Sequence, residues 1–293
     1  MFLERKTDCP LCKSSKITHK YHIDRYELKF DAEICKDCGF IFMNPQFKDD
    51  VLKKFYSEDY FRGRADYSYV DERDIKKYAA YVWDKRIKFI HKYIDRGNFL
   101  DVGCSFGGLL ESAAKFYTPF GIEISDYAFS QISERFNKNI HHGTLYDQKF
   151  GSSFFSVITM IELIEHLPDP VYAISQCFDL LHKKGVLVIQ TANMNGKQAR
   201  DLGKNYDYFM PGHLSYFTAE NLASLLKRTG FEKVKIYYPV EFGLLPKLLK
   251  SRGSFKNILD YKSWLRIIYY HMKSKIRFGN FAMTSSMVIY AVK

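Results

Sequence analysis

A chain of 293 residues that is 46% hydrophobic is long enough to bury a full α/β core and still carry a smaller module. The amino-terminal Met-Phe-Leu-Glu-Arg-Lys runs straight into charges and no later apolar run approaches 18 residues, so the sequence shows neither a leader h-region nor a membrane span, and a soluble cytoplasmic protein is expected. The formal charge of +11 admits nucleic acid, an anionic membrane surface or a phosphorylated substrate as partner.

Residues 1–48 hold four of the six cysteines. In a reducing compartment, paired cysteines favour metal binding over disulfides. Cys9-Pro-Leu-Cys12 and Cys35-Lys-Asp-Cys38 form C-x2-C…C-x2-C, and each pair can supply two thiolates to a tetrahedral Zn²⁺. Four thiolates leave no open position, so such a metal is structural. Buried free thiols or a redox pair are the competing readings. Short alternating stretches such as 34–42 suit a small β-rich, zinc-ribbon-like module ending at Asn44-Pro45. Cys104 and Cys177 stand alone and read as core thiols.

Residues 49–85 read as a Tyr-rich linker followed by a leading helix. Tyr60 and Phe61 lie here, either covering a ligand site or packing in a core. The main domain spans 86–293, where β-branched and aromatic runs alternate with helical stretches, the pattern of a parallel sheet with crossover helices. Seven strands are expected, at 99–102, 119–124, 139–142, 155–160, 186–191, 231–238 and 287–292. Between the last two lies a basic insertion, 243–280, with nine Lys or Arg against one acid, Asp260. Its Trp264, Ile267, Ile268 and Met272 recur at helical spacing.

The turn Phe99-Leu-Asp101-Val-Gly103-Cys-Ser-Phe-Gly107-Gly108 joins a strand to a helix. Glycine serves where the backbone takes positive φ or approaches a ligand closely, and the helix start offers N–H groups to a carboxylate. Twenty residues past Gly103, Glu123 ends the next strand, where an acid can accept ribose hydroxyls. The spacing differs from the G-x-G-x-x-G of nicotinamide enzymes and favours a ligand without a pyrophosphate. His141-His142 do not read as a joint metal site, because neighbours on a strand face opposite ways.

This turn resembles the first motif of class I S-adenosylmethionine-dependent methyltransferases, with Ser105 where a glycine is common. The likeness continues through Gly143-Thr-Leu-Tyr146-Asp147, Ile161-Glu162-Leu-Ile-Glu165-His166-Leu-Pro168 and His213-Leu-Ser-Tyr-Phe217, covering about residues 85–240. It implies a seven-stranded Rossmann-like fold and S-adenosylmethionine as cofactor. Asp101, Gly103, Cys104 and Gly107 would meet the methionine end, Glu123 the ribose, Leu145 and Tyr146 the adenine, and Ile161 and Glu162 the neighbourhood of the sulfonium, with Ile124 also in the cofactor site. With Cys38-Gly-Phe-Ile-Phe-Met-Asn44-Pro45 the cysteine module resembles the zinc-binding region fused to methyltransferases of sugar and secondary metabolism. That likeness points to O- or C-methylation of a sugar, nucleotide-sugar or glycan.

Transfer from a sulfonium needs an aligned nucleophile and a base. His213 is the candidate base, since similar His loops serve sugar methyltransferases, although it could also only pin its loop. His166 reads as structural. The basic insertion could meet a diphosphate, or an anionic membrane through an apolar face of Trp264, Ile267, Ile268 and Tyr269. RNA methylation is a rival reading, weakened by Ile161-Glu162-Leu standing where an N-P-P-[YF] motif would. A non-catalytic scaffold is a third, weakened by the retained Asp101, Gly103, Gly107 and Glu123.

Overall fold

The protein is described here by a computed structural model covering residues 1–48, 50–52, 73–252, 259–279 and 281–293. Tyr60 and Phe61 lie outside the described residues. The amino-terminal module contributes β1 (Ile17–Arg25), β2 (Leu28–Cys35) and β3 (Ile41–Met43). A leading helix α1 (Lys76–Ile90) enters the main domain, which continues as β4 (Asn98–Val102), α2 (Gly108–Ala113), β5 (Thr118–Glu123), α3 (Asp126–Phe136), β6 (Ile140–His142), β7 (Phe155–Ile161), α4 (Pro170–Leu180) and β8 (Leu181–Ala192). Then come α5 (Lys197–Leu202), β9 (Ser215–Tyr216), α6 (Ala219–Thr229), β10 (Lys233–Tyr237), α7 (Leu244–Arg252), α8 (Tyr261–Lys275), β11 (Arg277–Phe278), β12 (Phe281–Ala282) and β13 (Ser286–Val292).

The large sheet has seven strands in the order β10-β13-β8-β7-β4-β5-β6. All the strands expected from the sequence are present. The pairs from β8 to β6 are parallel, and β13 runs antiparallel to both β8 and β10. Strand β7 is buried along six of its seven residues, which is why it reads as an unbroken apolar run rather than an alternating one. Order reverses between β4 and β7, and the carboxyl ends flanking that switch are where ligands bind in such sheets.

The cysteine module does not close on itself. Its sheet is four-stranded, β1-β2-β3-β9, and the fourth strand comes from the second half of the chain. Ile41 pairs with Tyr216 and Phe42 with Ser215, antiparallel, and the Met43 N–H donates to the Leu214 carbonyl at 3.0 Å. Side chains continue the join. Phe40 packs on Phe217 with ring centroids 5.1 Å apart, and Cys9, Leu11, Cys35, Phe40 and Phe42 share one apolar cluster with Phe217, Leu222 and Leu226.

Among the described residues, the basic insertion contributes helices α7 and α8 and the paired strands β11 and β12 before the closing strand. The apolar outer face expected of Trp264, Ile267 and Ile268 is corrected by the structure. Those three are half-buried and lie on the side that also carries the buried His271 and Ser274. The outward side carries Leu265, Tyr269, Met272 and Ile276; of the four residues expected outward, only Tyr269 is there.

Because Phe40 is fully buried in a cluster spanning module and main domain, Phe40→Ala should lower the unfolding free energy by about 3–5 kcal/mol. Urea unfolding followed by Trp fluorescence and far-ultraviolet circular dichroism should give one coincident, shifted transition. Two separated transitions would show that the module folds independently.

Candidate active site

A cavity of about 1290 Å³ opens over the carboxyl ends of β4, β5, β7 and β8. That exceeds the roughly 300–1,000 Å³ of a cleft for one drug-sized ligand. It has room for a donor and an acceptor together.

One end is built from contiguous chain. Gly103 has φ +75° and Ser105 φ +45°; a Cβ on Gly103 would stand 3.0 Å from Leu163 Cδ1, so that position tolerates little else. Gly107, the left-handed residue that starts α2, faces Phe136, whose Cε2 a Cβ would meet at 2.8 Å. Gly107 is absent from the cavity wall; its place is in helix packing. Asp101, Gly103, Cys104, Ser105, Glu123, Ile124, Leu145, Tyr146 and Ile161 all line the cavity.

The two acids are held differently. Asp101 accepts a hydrogen bond from Thr159 Oγ1 at 2.6 Å, and burial pushes its carboxyl up to about 7. Glu123 accepts the backbone N–H of Ser105 on one oxygen and of Ser125 on the other, each at 2.8 Å. Burial raises it too, with those N–H bonds opposing the shift. A carboxylate has about four acceptor sites, so Glu123 keeps capacity for two hydroxyls after locking both loops. Ser105 Oγ is buried at this wall with no hydrogen-bond partner among the described residues. These residues fit an adenosyl ligand with a cationic amino-acid end: a vicinal diol acceptor, an unsatisfied hydroxyl and a buried carboxyl, Asp101, hydrogen-bonded to Thr159.

The other end draws on distant elements. His166 Nδ1 donates to the Gly212 carbonyl at 2.9 Å and His213 Nδ1 to the Tyr208 carbonyl at 2.8 Å. A carbonyl only accepts, so both rings carry their proton on Nδ1 and present Nε2 as a base or ligand. Their centroids are 4.5 Å apart. Burial first, then the neighbouring His166, holds His213 well below its ordinary pKa, so it is neutral at pH 7. Glu165 accepts from Tyr208 Oη at 2.5 Å and Thr191 Oγ1 at 3.0 Å. Glu162, in a left-handed conformation at φ +52°, accepts from Gln190 Nε2 at 2.6 Å. Desolvation, and then Glu165, pushes its carboxyl upward, opposed by the Gln190 hydrogen bond and by Arg86. Glu165, His166 and His213 each bring one donor atom within 4.8 Å of the others. Bonds from Nδ1 to carbonyls are the usual second shell of metal-binding imidazoles, so the trio can serve as a base pair or hold a divalent cation.

Sequence reasoning missed most of this network. Arg86 of α1 is buried, donating through Nε to Glu241 at 2.8 Å and through an Nη to Gln190 at 2.5 Å. Tyr208, Met210, Gln46, Phe47 and Leu3 also reach the cavity. The available signal was Arg86 itself, a charge on the helix face otherwise buried through Ala79, Ile87 and Ile90.

In the module the four sulfurs lie within 4.8 Å of one another, with Cys9–Cys38 at 3.7 Å and Cys12–Cys35 at 3.5 Å. Disulfide sulfurs are bonded at about 2.05 Å, whereas the edge of a tetrahedron with Zn–S near 2.3 Å is about 3.8 Å. Backbone bonds from Lys13 N to Cys9 O and from Gly39 N to Cys35 O close the two knuckle turns. The donor set fits Zn²⁺ and not a disulfide pair.

Comparison with known proteins agrees with the fold. The model of a methyltransferase domain family matches residues 75–236. A Mycolicibacterium smegmatis protein named "Probable S-adenosylmethionine-dependent methyltransferase" is 28% identical over 138 residues, 45% of this chain and 51% of its own. The ubiquinone biosynthesis O-methyltransferase of Psychrobacter cryohalolentis is 30% identical over 151 residues, 48% of this chain and 54% of its own. The chain thus spans about half the length of these relatives. Solved structures of SAM-dependent methyltransferases from Thermotoga maritima (17% identity, TM-score 0.52, 83% of this chain and 99% of that one) and Archaeoglobus fulgidus (20%, 0.51, 73% and 94%) share the fold.

Elemental analysis of protein purified under reducing conditions should find about one zinc per chain. Cys35→Ser should abolish it, and since β2 and β3 lead directly into β9, should also lower the melting temperature of the whole chain. Wild-type protein free of zinc yet equally stable would remove the metal.

Proposed function

This chain belongs to the methyltransferase domain family, and from that premise we propose that it is an S-adenosylmethionine-dependent methyltransferase acting on a hydroxyl of a small molecule. The observation that carries the reading is one continuous cavity with the Asp101–Glu123 donor site at one end and the His166–His213 pair at the other. S-adenosylmethionine supplies a methyl group already activated on a sulfonium, so the protein's work is alignment and proton removal. Glu123 holds the ribose, Leu145 and Tyr146 border the adenine, and Asp101 with Ser105 receives the methionine end. His213 accepts the acceptor's proton at Nε2, its ring fixed by the Tyr208 carbonyl.

Leu3, Phe47, Leu52, Trp83 and Met210 also line the cavity, which favours an acceptor with an apolar or aromatic body. The naming of relatives as ubiquinone biosynthesis O-methyltransferases supports the same class. A sugar or nucleotide-sugar acceptor is the second reading, favoured by the cations Lys76 and Lys250 among the cavity's lining residues. Turnover of a panel of catechols against nucleotide sugars separates the two.

Glu123→Ala should weaken S-adenosylmethionine binding by about 10- to 100-fold, the worth of about one charge-assisted hydrogen bond; calorimetric titration measures it, and unchanged affinity would sink the ribose role. The cofactor's cationic end prefers ionised Asp101. Affinity should therefore rise as pH passes upward through about 7, and Asp101→Asn should flatten that rise. His213→Ala should cut turnover by roughly 10²–10⁴-fold with cofactor affinity intact. If Glu165, His166 and His213 instead hold a cation, adding Mn²⁺ raises wild-type turnover; if His213 is the base, it does not.

A further inference from the structure

Helix α8 carries an exposed apolar stripe that the catalytic reading does not use. Tyr261, Leu265, Tyr269, Met272 and Ile276 all stand out from the surface, with Leu265 60%, Tyr269 68% and Met272 60% exposed. At 3.6 residues per turn these five positions fall within an arc of about 80°. The opposite side of the helix is the one with buried His271 and Ser274, so the stripe is the face turned away from the protein. Phe278, two residues past Ile276 on strand β11, is 74% exposed.

The charges are arranged around this stripe. Lys262, Arg266 and Lys273 follow it on one flank of the helical wheel and Lys275 on the other. Lys273 Nζ lies 6.0 Å from the Tyr269 ring centroid, its ammonium above an apolar neighbour. Asp260, which caps the helix by accepting from Ser263 N, is the one acid in 243–280. An apolar strip bordered on both sides by long basic side chains matches an anionic bilayer surface: the strip enters the headgroup boundary while the Lys and Arg heads reach lipid phosphates. A soluble acidic partner would meet the charges and leave the aromatic strip in water.

We propose that the outer face of α8, with Phe278, is a membrane-docking surface that lies in the plane of an anionic lipid interface. No helix among the described residues is long and apolar enough to cross a membrane, so this contact is peripheral and reversible. Helix α8 packs on α7, and Lys250 of α7 lines the cavity, so docking sets the cavity wall beside the bilayer. Resting on the methyl-transfer reading, this favours an acceptor carried on a lipid.

Flotation of the full chain with vesicles tests the surface without any turnover. Vesicles of two parts phosphatidylcholine to one part phosphatidylglycerol should carry the protein at low salt, and pure phosphatidylcholine should carry far less. Lys262→Glu with Arg266→Glu should lower the bound fraction on the order of tenfold or more, and Leu265→Ser with Met272→Ser by a similar factor, both leaving S-adenosylmethionine affinity unchanged. Failure to float with the anionic vesicles, or binding insensitive to Leu265→Ser with Met272→Ser, overturns the proposal. So does a wild-type dimer that the same pair of substitutions dissociates, which would give the face to a second copy of the chain. Cofactor binding measured on the same samples stands or falls separately.

Discussion

Two residues of β3 pair with a two-residue strand that begins two positions after His213, and the site is arranged around that short join. Without it, the loop 206–214 would carry His213 on backbone with few partners of its own. With it, Leu214 is held from both sides, its carbonyl by Met43 N–H and its N–H by the Glu165 carbonyl. The ring one residue earlier then has a fixed origin. Three independent pieces of chain, the cysteine module, the segment after β7 and the loop after α5, are brought to one place by backbone bonds, whose geometry is less forgiving than side-chain packing.

The two ends of the cavity are built on different principles. The donor end is local: Asp101 to Ser125 supplies its turn, its acids and the N–H groups that hold Glu123. The acceptor end is assembled from α1, β7, β8 and the loop before β9, with a buried ion pair between Arg86 and Glu241 at its back, to which Tyr290 Oη also donates at 3.0 Å. Breaking one partner of such a pair costs about 3–5 kcal/mol, while a well-packed apolar replacement can be neutral. The pair's evident result is positional. It ties α1 to the segment after β10 and, through Gln190, orients Glu162.

These differences explain what the sequence disclosed. The seven strands, the glycine turn and Glu123 were legible because each is a short pattern with its own local cause: a buried run, a positive φ, a strand end. The paired cysteines were legible for the same reason. The join of β3 to β9 was not, since a two-residue strand carries no periodicity, and Phe40 and Phe217 advertise burial without naming a partner. Arg86, Gln190 and Glu241 are separated by as many as 155 positions, and nothing in one sequence pairs them. His166 read as structural because its neighbour in space, His213, is 47 positions away. The outer face of α8 was misread because a basic helix with apolar residues all round offers two candidate faces, and only packing decides which turns inward.

The join has a consequence in time as well as in space. During synthesis β3 emerges long before Ser215, and at about 5–20 residues per second the interval is on the order of ten to thirty seconds. Throughout it the nascent module presents an unpaired sheet edge, the kind of surface that recruits other chains. If the four thiolates hold a metal, the clasped turns beside β2 keep that edge short and rigid while it waits. If that metal is zinc, a nascent chain starved of it would spend the same interval with a loose edge, and aggregation during production should add to the lowered stability of the finished protein.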